Sequence, residues 1–451
     1  MRLAFAWALA VLAVPASVLA QQNPSAQQNP PAPTKENSAG AVPAAAPRPT
    51  TGAPPSARIS IDEALRLAMQ HNHALQAARS TILQNQALET TANLRPNPTL
   101  SWDAQFLPIF QPSKFSSDYL DSQAQFDLGF GYTFEIGGKR QHRLRAARDV
   151  TEATRSTVAD NQRTLSFNVG SQFVAALLAE STIEFTQQDL DSFQKTVDIS
   201  ETRYKAGAMS EGDLLKIKLQ MLQFQNDVLN AKLAKIQALS ALRQLVGFES
   251  VPDDFDVEGS LEYVAVKAGL DDLKALALRT RPDLRAAQLN VSAAQSAEQL
   301  AVVDRKRDLT TTFNYSHVAS TNTGALFFTL QLPFFDRNQG EIARTRHVIT
   351  QNQQLAAETS QQVLTDVVNA YQNLRTSEQI VQLYQGGYVD QAIKSRDISQ
   401  YAYQRGAASL LDYLDAERTY RANQLAYRQA LATYMTAMEQ MRQAAGTRNL
   451  P

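Results

Sequence analysis

"AQFDLGFGYTFE", residues 124–135, alternates without a lapse. Phe126, Leu128, Phe130, Tyr132 and Phe134 fall on one side. Gln125, Asp127, Gly129, Gly131, Thr133 and Glu135 fall on the other. Successive side chains of a strand point to opposite faces, so this stretch offers one aromatic face and one small, polar face. "TLSWDAQF" (99–106) sets Leu100, Trp102, Ala104 and Phe106 on one face, and "DLTTTFNYS" (308–316) and "ALFFTLQL" (325–332) repeat the arrangement less strictly. Strands of about ten residues with this alternation are the pattern of a transmembrane β-barrel, with lipid outside and water inside. The competing reading is a soluble sheet packed on a core. No neighbouring segment is rich enough in Leu, Ile and Phe to cover the apolar face. Trp102, Phe126, Phe130, Tyr132 and Phe134 are therefore expected to face lipid.

Four strands cannot close a barrel with a lumen, because about eight barely enclose their own side chains. Open sheet edges are not tolerated in hydrocarbon, where each unpaired backbone group costs several kcal/mol. Several copies must each contribute four strands, and three copies would supply twelve.

Between the strand pairs lie very long helical stretches. From about Lys139 to Ala206 there is no proline, and only Gly170 interrupts. From Glu341 to Arg405 only Gly386-Gly387 intervenes. Such a stretch makes a rod of roughly 100 Å at 1.5 Å per residue. Its apolar residues, mostly Ala, Leu and Val, recur at helical spacing among Gln, Asn, Asp and Arg, as suits helices packed side by side with one face wet. Return helices are expected over 211–246 and 409–445. A helix over 61–95, with Asp62 and Glu63 in its first turn, ends at the prolines of "RPNP".

The second half of the chain repeats the first. "YKAGAMSEGDLLK" (204–216) returns as "YQRGAASLLDYLD" (403–415), and "SIDEALRLAMQHNHALQAA" (60–78) as "GLDDLKALALRTRPDLRAA" (269–287). A duplication this long is two copies of one half-molecule rather than a solenoid. Each half reads helix, β-hairpin, long helix, turn, return helix. The expected divisions are 58–259, with its hairpin at 99–135 and tip turn at 204–213, and 260–451, with its hairpin at 308–332 and tip turn at 403–412. The two matching phrases become the far tips of the rods. Gly207 and Gly406 suit a left-handed helix end, and Ser210 and Ser409 suit the start of the return helix.

With 451 residues, a net charge of −1 and a pI near 6.6, the chain gives no general electrostatic reason to bind nucleic acid. The absence of cysteine excludes disulfides, thiol nucleophiles and thiolate metal sites. "MRLAFAWALAVLAVPASVLA" (1–20) reads as a secretory signal peptide with no lipidated cysteine after it, and 21–57 as a disordered Pro/Ala/Gln-rich leader. The rest holds no apolar run of the ~18 residues a transmembrane helix needs.

The tips, together with the junctions "EIGGKR" (135–140) and "LPFFDRNQGE" (332–341), resemble the TolC-like outer-membrane efflux proteins over essentially all of 58–447. The resemblance implies a mainly α fold with a β-barrel portion: a trimer whose four strands per chain close a twelve-stranded barrel above a long helical barrel in the periplasm. It further implies an exit duct docking through a periplasmic adaptor onto an inner-membrane pump. "EIGGKR" is similar to the heavy-metal branch, whose CzcC-like and CusC-like members serve cation-exporting pumps of the resistance-nodulation-division type. The family's ring of aspartates at the periplasmic mouth carries over to Asp412 and Asp415, with Asp213 the weaker counterpart because Lys216 stands where a second aspartate would be. The competing reading places Asp412 in a first helical turn to complement the dipole. Gly207, Ala208, Met209, Ser210, Gly406, Ala407, Ala408 and Ser409 become the adaptor-contact tips.

No enzyme motif is present. His71 and His73 are two apart and point to different faces of a helix, and no HExxH, P-loop or nucleophile elbow occurs. No cofactor or metal site is expected. The alternatives to an efflux duct are the outer-membrane conduit of a type I protein secretion system and, in a different class, a soluble periplasmic coiled-coil adaptor, which would lack the aromatic hairpins.

Overall fold

The computed structural model describes residues 57–450. The signal-peptide and leader readings lie outside the described residues, Ala57 apart. Strand β1 (Arg58–Ile59) pairs in parallel with β4 (Asp256–Val257), tying the start of the first half to its end.

The single helix expected over 61–95 is two, α1 (Ile61–His71) and α2 (His73–Ala92), broken at Asn72. Asn72 is extended, with φ −65° and ψ 115°. Its side chain accepts from the Leu75 amide at 3.0 Å and donates to the Leu245 carbonyl at 3.0 Å. A tertiary partner thus secures a cap that the local sequence leaves optional. The second half breaks at the matching place: α6 (Leu270–Thr280) and α7 (Pro282–Asp304) meet at Arg281, φ −69° and ψ 121°, with Pro282 opening the new helix.

Between α2 and the first rod lie β2 (Thr99–Gln105), the short α3 (Ser117–Ser122) and β3 (Gln125–Phe134). The first rod, α4, runs Lys139–Lys205 over 67 residues. It passes Gly170 without a break; a Cβ there would stand 2.7 Å from Glu439 Oε2, so glycine makes room for a neighbour rather than interrupting the helix. The return helix α5 covers Glu211–Val246. In the second half, β5 (Leu309–Val318) and β6 (Thr321–Leu330) precede α8 (Gln339–Leu383). A π-turn at Tyr384–Tyr388 follows, with Gly387 at φ 114°. Then come α9 (Val389–Gln404) and α10 (Leu410–Ala445). β6 starts at Thr321, earlier than the expected 325, because Ala319 and Ser320, at φ 48° and 57°, make the two-residue turn without the usual glycine.

The four long strands form one antiparallel sheet in the order β2-β3-β5-β6, leaving β2 and β6 as its edges. At the tip end the rods pack side by side as α5, α4, α10 and α9. Among the described residues no helix is long and apolar enough to cross a membrane.

Candidate pore wall and helical tips

Register decides what each face of the sheet presents. Leu100, Phe130, Phe313 and Leu326 form one cross-strand row, and Trp102, Leu128, Tyr315 and Gly324 the next on the same face. The opposite face carries Ser101, Gly129, Asn314 and Ala325, then Asp103, Asp127, Ser316 and Thr323. A Cβ at Gly129 or Gly131 would run into the side-chain oxygens of Ser101 or Thr99, so glycine lets the polar face close up. Trp102 is 70% exposed and Phe130 54%. Phe134 is likewise exposed, while Phe126 and Tyr132 are half-buried. An uncovered aromatic face of this size calls for an apolar surrounding.

The β3–α4 junction turns on Gly137 and Gly138, at φ 87° and 75°. Asp308 binds both sides of it, accepting from the Ile136 amide at 3.0 Å and from Lys139 Nζ at 2.9 Å. That pair anchors the end of β3 in the first half to the second half.

The two tips share one backbone solution. Gly207 and Gly406 both lie at φ 75°. The Ala208 amide donates to the Arg203 carbonyl and the Ala407 amide to the Ala402 carbonyl, each at 2.8 Å, the helix-ending pattern that requires a left-handed residue. Ser210 Oγ accepts from the Asp213 amide at 3.1 Å and Ser409 Oγ from the Asp412 amide at 3.2 Å. Gly207, Ala208, Gly406 and Ala407 are exposed and Ala408 half-buried. Met209 departs from the exposed-tip expectation: it is half-buried, its apolar side chain packing against the buried cluster behind the tips.

Asp412 takes its helix-capping role, its carboxylate accepting from the Ser409 amide at 3.2 Å and from Ser409 Oγ at 2.7 Å. It remains exposed, so the cap leaves it facing water. Asp415 is exposed one turn further on, 3.2 Å from Arg418. Asp213 differs: its carboxylate receives Ser210 Oγ at 2.9 Å and Lys216 at 3.3 Å, which together hold its pKa below the usual carboxylate range.

Behind the tips lies a feature that reading the sequence did not find. Phe224, Phe193, Tyr413 and Tyr403 stack in a chain that crosses α5, α4, α10 and α9, with ring centroids 4.3, 6.5 and 5.3 Å apart. Above it, Arg421 of α10 sits 2.6 Å from Asp189 of α4 and 2.5 Å from Asp227 of α5, and lies 3.9 Å over the Phe224 ring. Beside Asp189 is Glu417 of α10, both nearly fully buried.

The edge helix α5 carries two apolar seams. Leu214, Ile217, Phe224, Val228, Ala231, Ala238 and Leu242 are buried against the rest of the half. Leu215, Leu219, Leu222, Leu229, Leu233 and Ile236 repeat at spacings of three, four and seven on another face and are all exposed. That spacing is the heptad seam of a coiled coil, and it was legible in the sequence as a second apolar set interleaved with the first.

A model of the outer membrane efflux protein family matches residues 64–248 and 273–447. The cobalt-zinc-cadmium resistance protein CzcC of Cupriavidus metallidurans is 24% identical over 396 residues, 86% of this chain and 88% of that protein. The pyoverdine export outer membrane protein OpmQ of Pseudomonas aeruginosa is also 24% identical, over 81% of this chain and 80% of that protein. Among solved structures, the open state of the Neisseria gonorrhoeae MtrE outer membrane channel superposes with a TM-score of 0.71 at 17% identity, covering 87% of this chain and 90% of that one.

Proposed function

Because the chain belongs to the outer membrane efflux protein family, we propose that it is the exit channel of a tripartite efflux system, three copies closing one twelve-stranded barrel and one helical tube. Residues 58–259 and 260–451 are the two repeats in this reading. The observation that carries it is a pair of open edges at both levels of the molecule. β2 and β6 end the sheet, and α5 and α9 end the row of rods.

The duplication indicates how the helical edges meet. Within the chain, the return helix of the second half, α10, packs on the rod of the first, α4. The swapped counterpart pairs α5 with α8 and α9 of another copy. At the shared offset of the two tip phrases, Arg421 and Arg428 of α10 answer to Leu222 and Leu229 of the exposed α5 seam. Asp189 of α4 answers to Tyr388, which is exposed. An apolar strip on the second rod, Ile380, Leu383, Tyr388, Ile398 and Tyr401, awaits a partner.

The Asp189–Arg421 contact therefore predicts a Leu222–Tyr388 contact between copies. The chain has no cysteine, so the double variant L222C/Y388C should give covalently linked species under oxidation, and neither single variant should. A double variant that stays a detergent-soluble monomer overturns the closed tube.

In this reading the tube mouth is narrowed by Asp412 and Asp415, the Asp213 carboxylate being held by Lys216. The exposed tip residues Gly207, Ala208, Gly406 and Ala407 meet a periplasmic adaptor, which connects to a pump of the resistance-nodulation-division type. The cargo is divalent cations, supported by CzcC covering more of the chain than OpmQ at equal identity. Deleting the gene should sensitise cells to zinc or cobalt; sensitivity confined to organic compounds overturns the cargo assignment while leaving the channel.

A further inference from the structure

Where the sheet gives way to the first rod, a cavity of about 380 Å³ opens beside β3. It exists because β2 starts late. Thr99, the first residue of β2, pairs with Gly131. Tyr132, Thr133 and Phe134 therefore have a strand partner on the β5 side and none on the β2 side. The residues just before β2 include Pro96 and Pro98, which have no amide with which to extend the ladder. Arg95 and Pro96 line the cavity from that side.

Four charged side chains line the cavity: Arg95, Glu135, Lys139 and Arg140. Two of them are already paired. Lys139, 8% exposed, bonds Asp308 at 2.9 Å. Glu135 accepts from Arg143 of α4, which also donates to the Leu94 carbonyl at 3.3 Å. Arg143 thus ties the backbone next to Arg95 to the start of the rod. Arg95 is exposed and Arg140 half-buried, and among the described residues neither comes within 4.0 Å of a carboxylate. Two guanidiniums share one cavity, and neither can shed its charge by losing a proton.

The rest of the wall narrows the choice of anion. Tyr132 and Phe134 line the cavity and meet edge to face, their ring centroids 4.9 Å apart. They belong to the aromatic side of β3, which continues along the strand through Phe130 and Leu128. The cavity is therefore cationic toward the rod and aromatic toward the strands, at the level where the sheet ends. A lipid phosphate with the first carbons of its acyl chains divides charge and grease in the same way. Guanidinium presents paired N–H donors that fit phosphate oxygens two at a time. Basic pockets at a membrane boundary recognise anionic headgroups.

We propose that Arg95 and Arg140 hold the phosphate of a phospholipid from the leaflet nearest the rods, its acyl chains lying along Tyr132 and Phe134. The lipid source rests on the membrane placement of the sheet under the proposed function; the pairing of two arginines with a phosphate does not. An amine in the headgroup would be repelled by the same arginines, so phosphatidylglycerol is preferred over phosphatidylethanolamine.

The test titrates the full chain, delipidated in neutral detergent, with each lipid and counts bound lipid per chain by native mass spectrometry. Phosphatidylglycerol should bind more tightly than phosphatidylethanolamine. Its affinity should fall about fivefold for each arginine removed, and so about 25-fold in R95Q/R140Q. R95K/R140K keeps the charge without the paired donors and should fall between. R66Q, which alters an exposed arginine remote from the cavity, should bind as the parent does. Because neither Arg95 nor Arg140 has a hydrogen-bond partner among the described residues, delipidated R95Q/R140Q should melt with the parent. Added phosphatidylglycerol should then raise the parent's melting temperature more than the variant's. A double variant that binds lipid as tightly as the parent overturns the site. So does one whose copies separate while each chain keeps its lipid, because the arginines then pair with a neighbouring copy. Inorganic phosphate that displaces the lipid at equal concentration overturns the lipid assignment in favour of a free anion. A protein that stays in solution without detergent counts against the proposed function, and lipid binding per chain still decides the two arginines.

Discussion

Tyr204 and Tyr403 hold the same place in the two tip phrases, three residues before a left-handed glycine, yet one is 40% exposed and the other 6%. The backbone of each tip is the same, down to the helix-ending bonds. What differs is the neighbour. Tyr403 lies against α4, where Arg203 donates to its carbonyl at 3.0 Å and the Tyr413 ring stacks on its own. Tyr204, at the matching place on the first rod, is left exposed. Local code fixes a turn, and position in the assembly fixes what the turn's side chains do.

The largest consequence is stability. Tyr403→Ala removes one ring from a stack that joins four helices, and truncating a buried aromatic costs about 3–5 kcal/mol. Tyr204→Ala at the matching exposed place should stay within about 0.5 kcal/mol. Thermal unfolding of the two variants in detergent separates them, and equal losses would mean that the tips are equivalent after all. The same comparison would sharpen if Tyr204→Ala destabilised only the assembled form, because that would place Tyr204 in contact between copies.

Much of this was legible in the residues. The alternation at 124–135, the long proline-free rods and the repeated tip phrases each rest on a local periodicity, and the structure forms its strands, rods and turns there. Three features were not read. The break at Asn72 depends on the carbonyl of Leu245, far along the chain, and no glycine or proline announces it. The Ala319-Ser320 turn uses residues that rarely adopt positive φ. The Asp189–Glu417–Arg421 cluster consists of ordinary polar residues on helices rich in polar residues; only the crossing of α4 and α10 makes them buried. The α5 leucine seam is a fourth case of another kind. Its spacing was in the sequence, but two seams on one helix blur each other when a single apolar face is sought.

The smallest effect concerns the carboxylates of the tips. Asp412 and Asp415 are exposed, and the cap and Arg418 leave them facing water. Asp213 is half-buried between Ser210 and Lys216, and the hydroxyl and then the ammonium keep it ionised below the usual carboxylate range. If the second tip lines the mouth, three copies bring six exposed carboxylates around one axis. Cations then dwell there, and conduction is fastest when binding is weak enough to let them go. Two unit charges about 10 Å apart in water interact by about 0.4 kcal/mol, a factor of about two in occupancy. The double variant D412A/D415A should therefore raise single-channel conductance by about twofold and lower cation preference, both most visibly at low salt. D213A removes a charge already balanced by Lys216 and should change neither. An unchanged double variant removes Asp412 and Asp415 from the mouth, and a D213A variant matching it would put the two tips on equal terms around the pore.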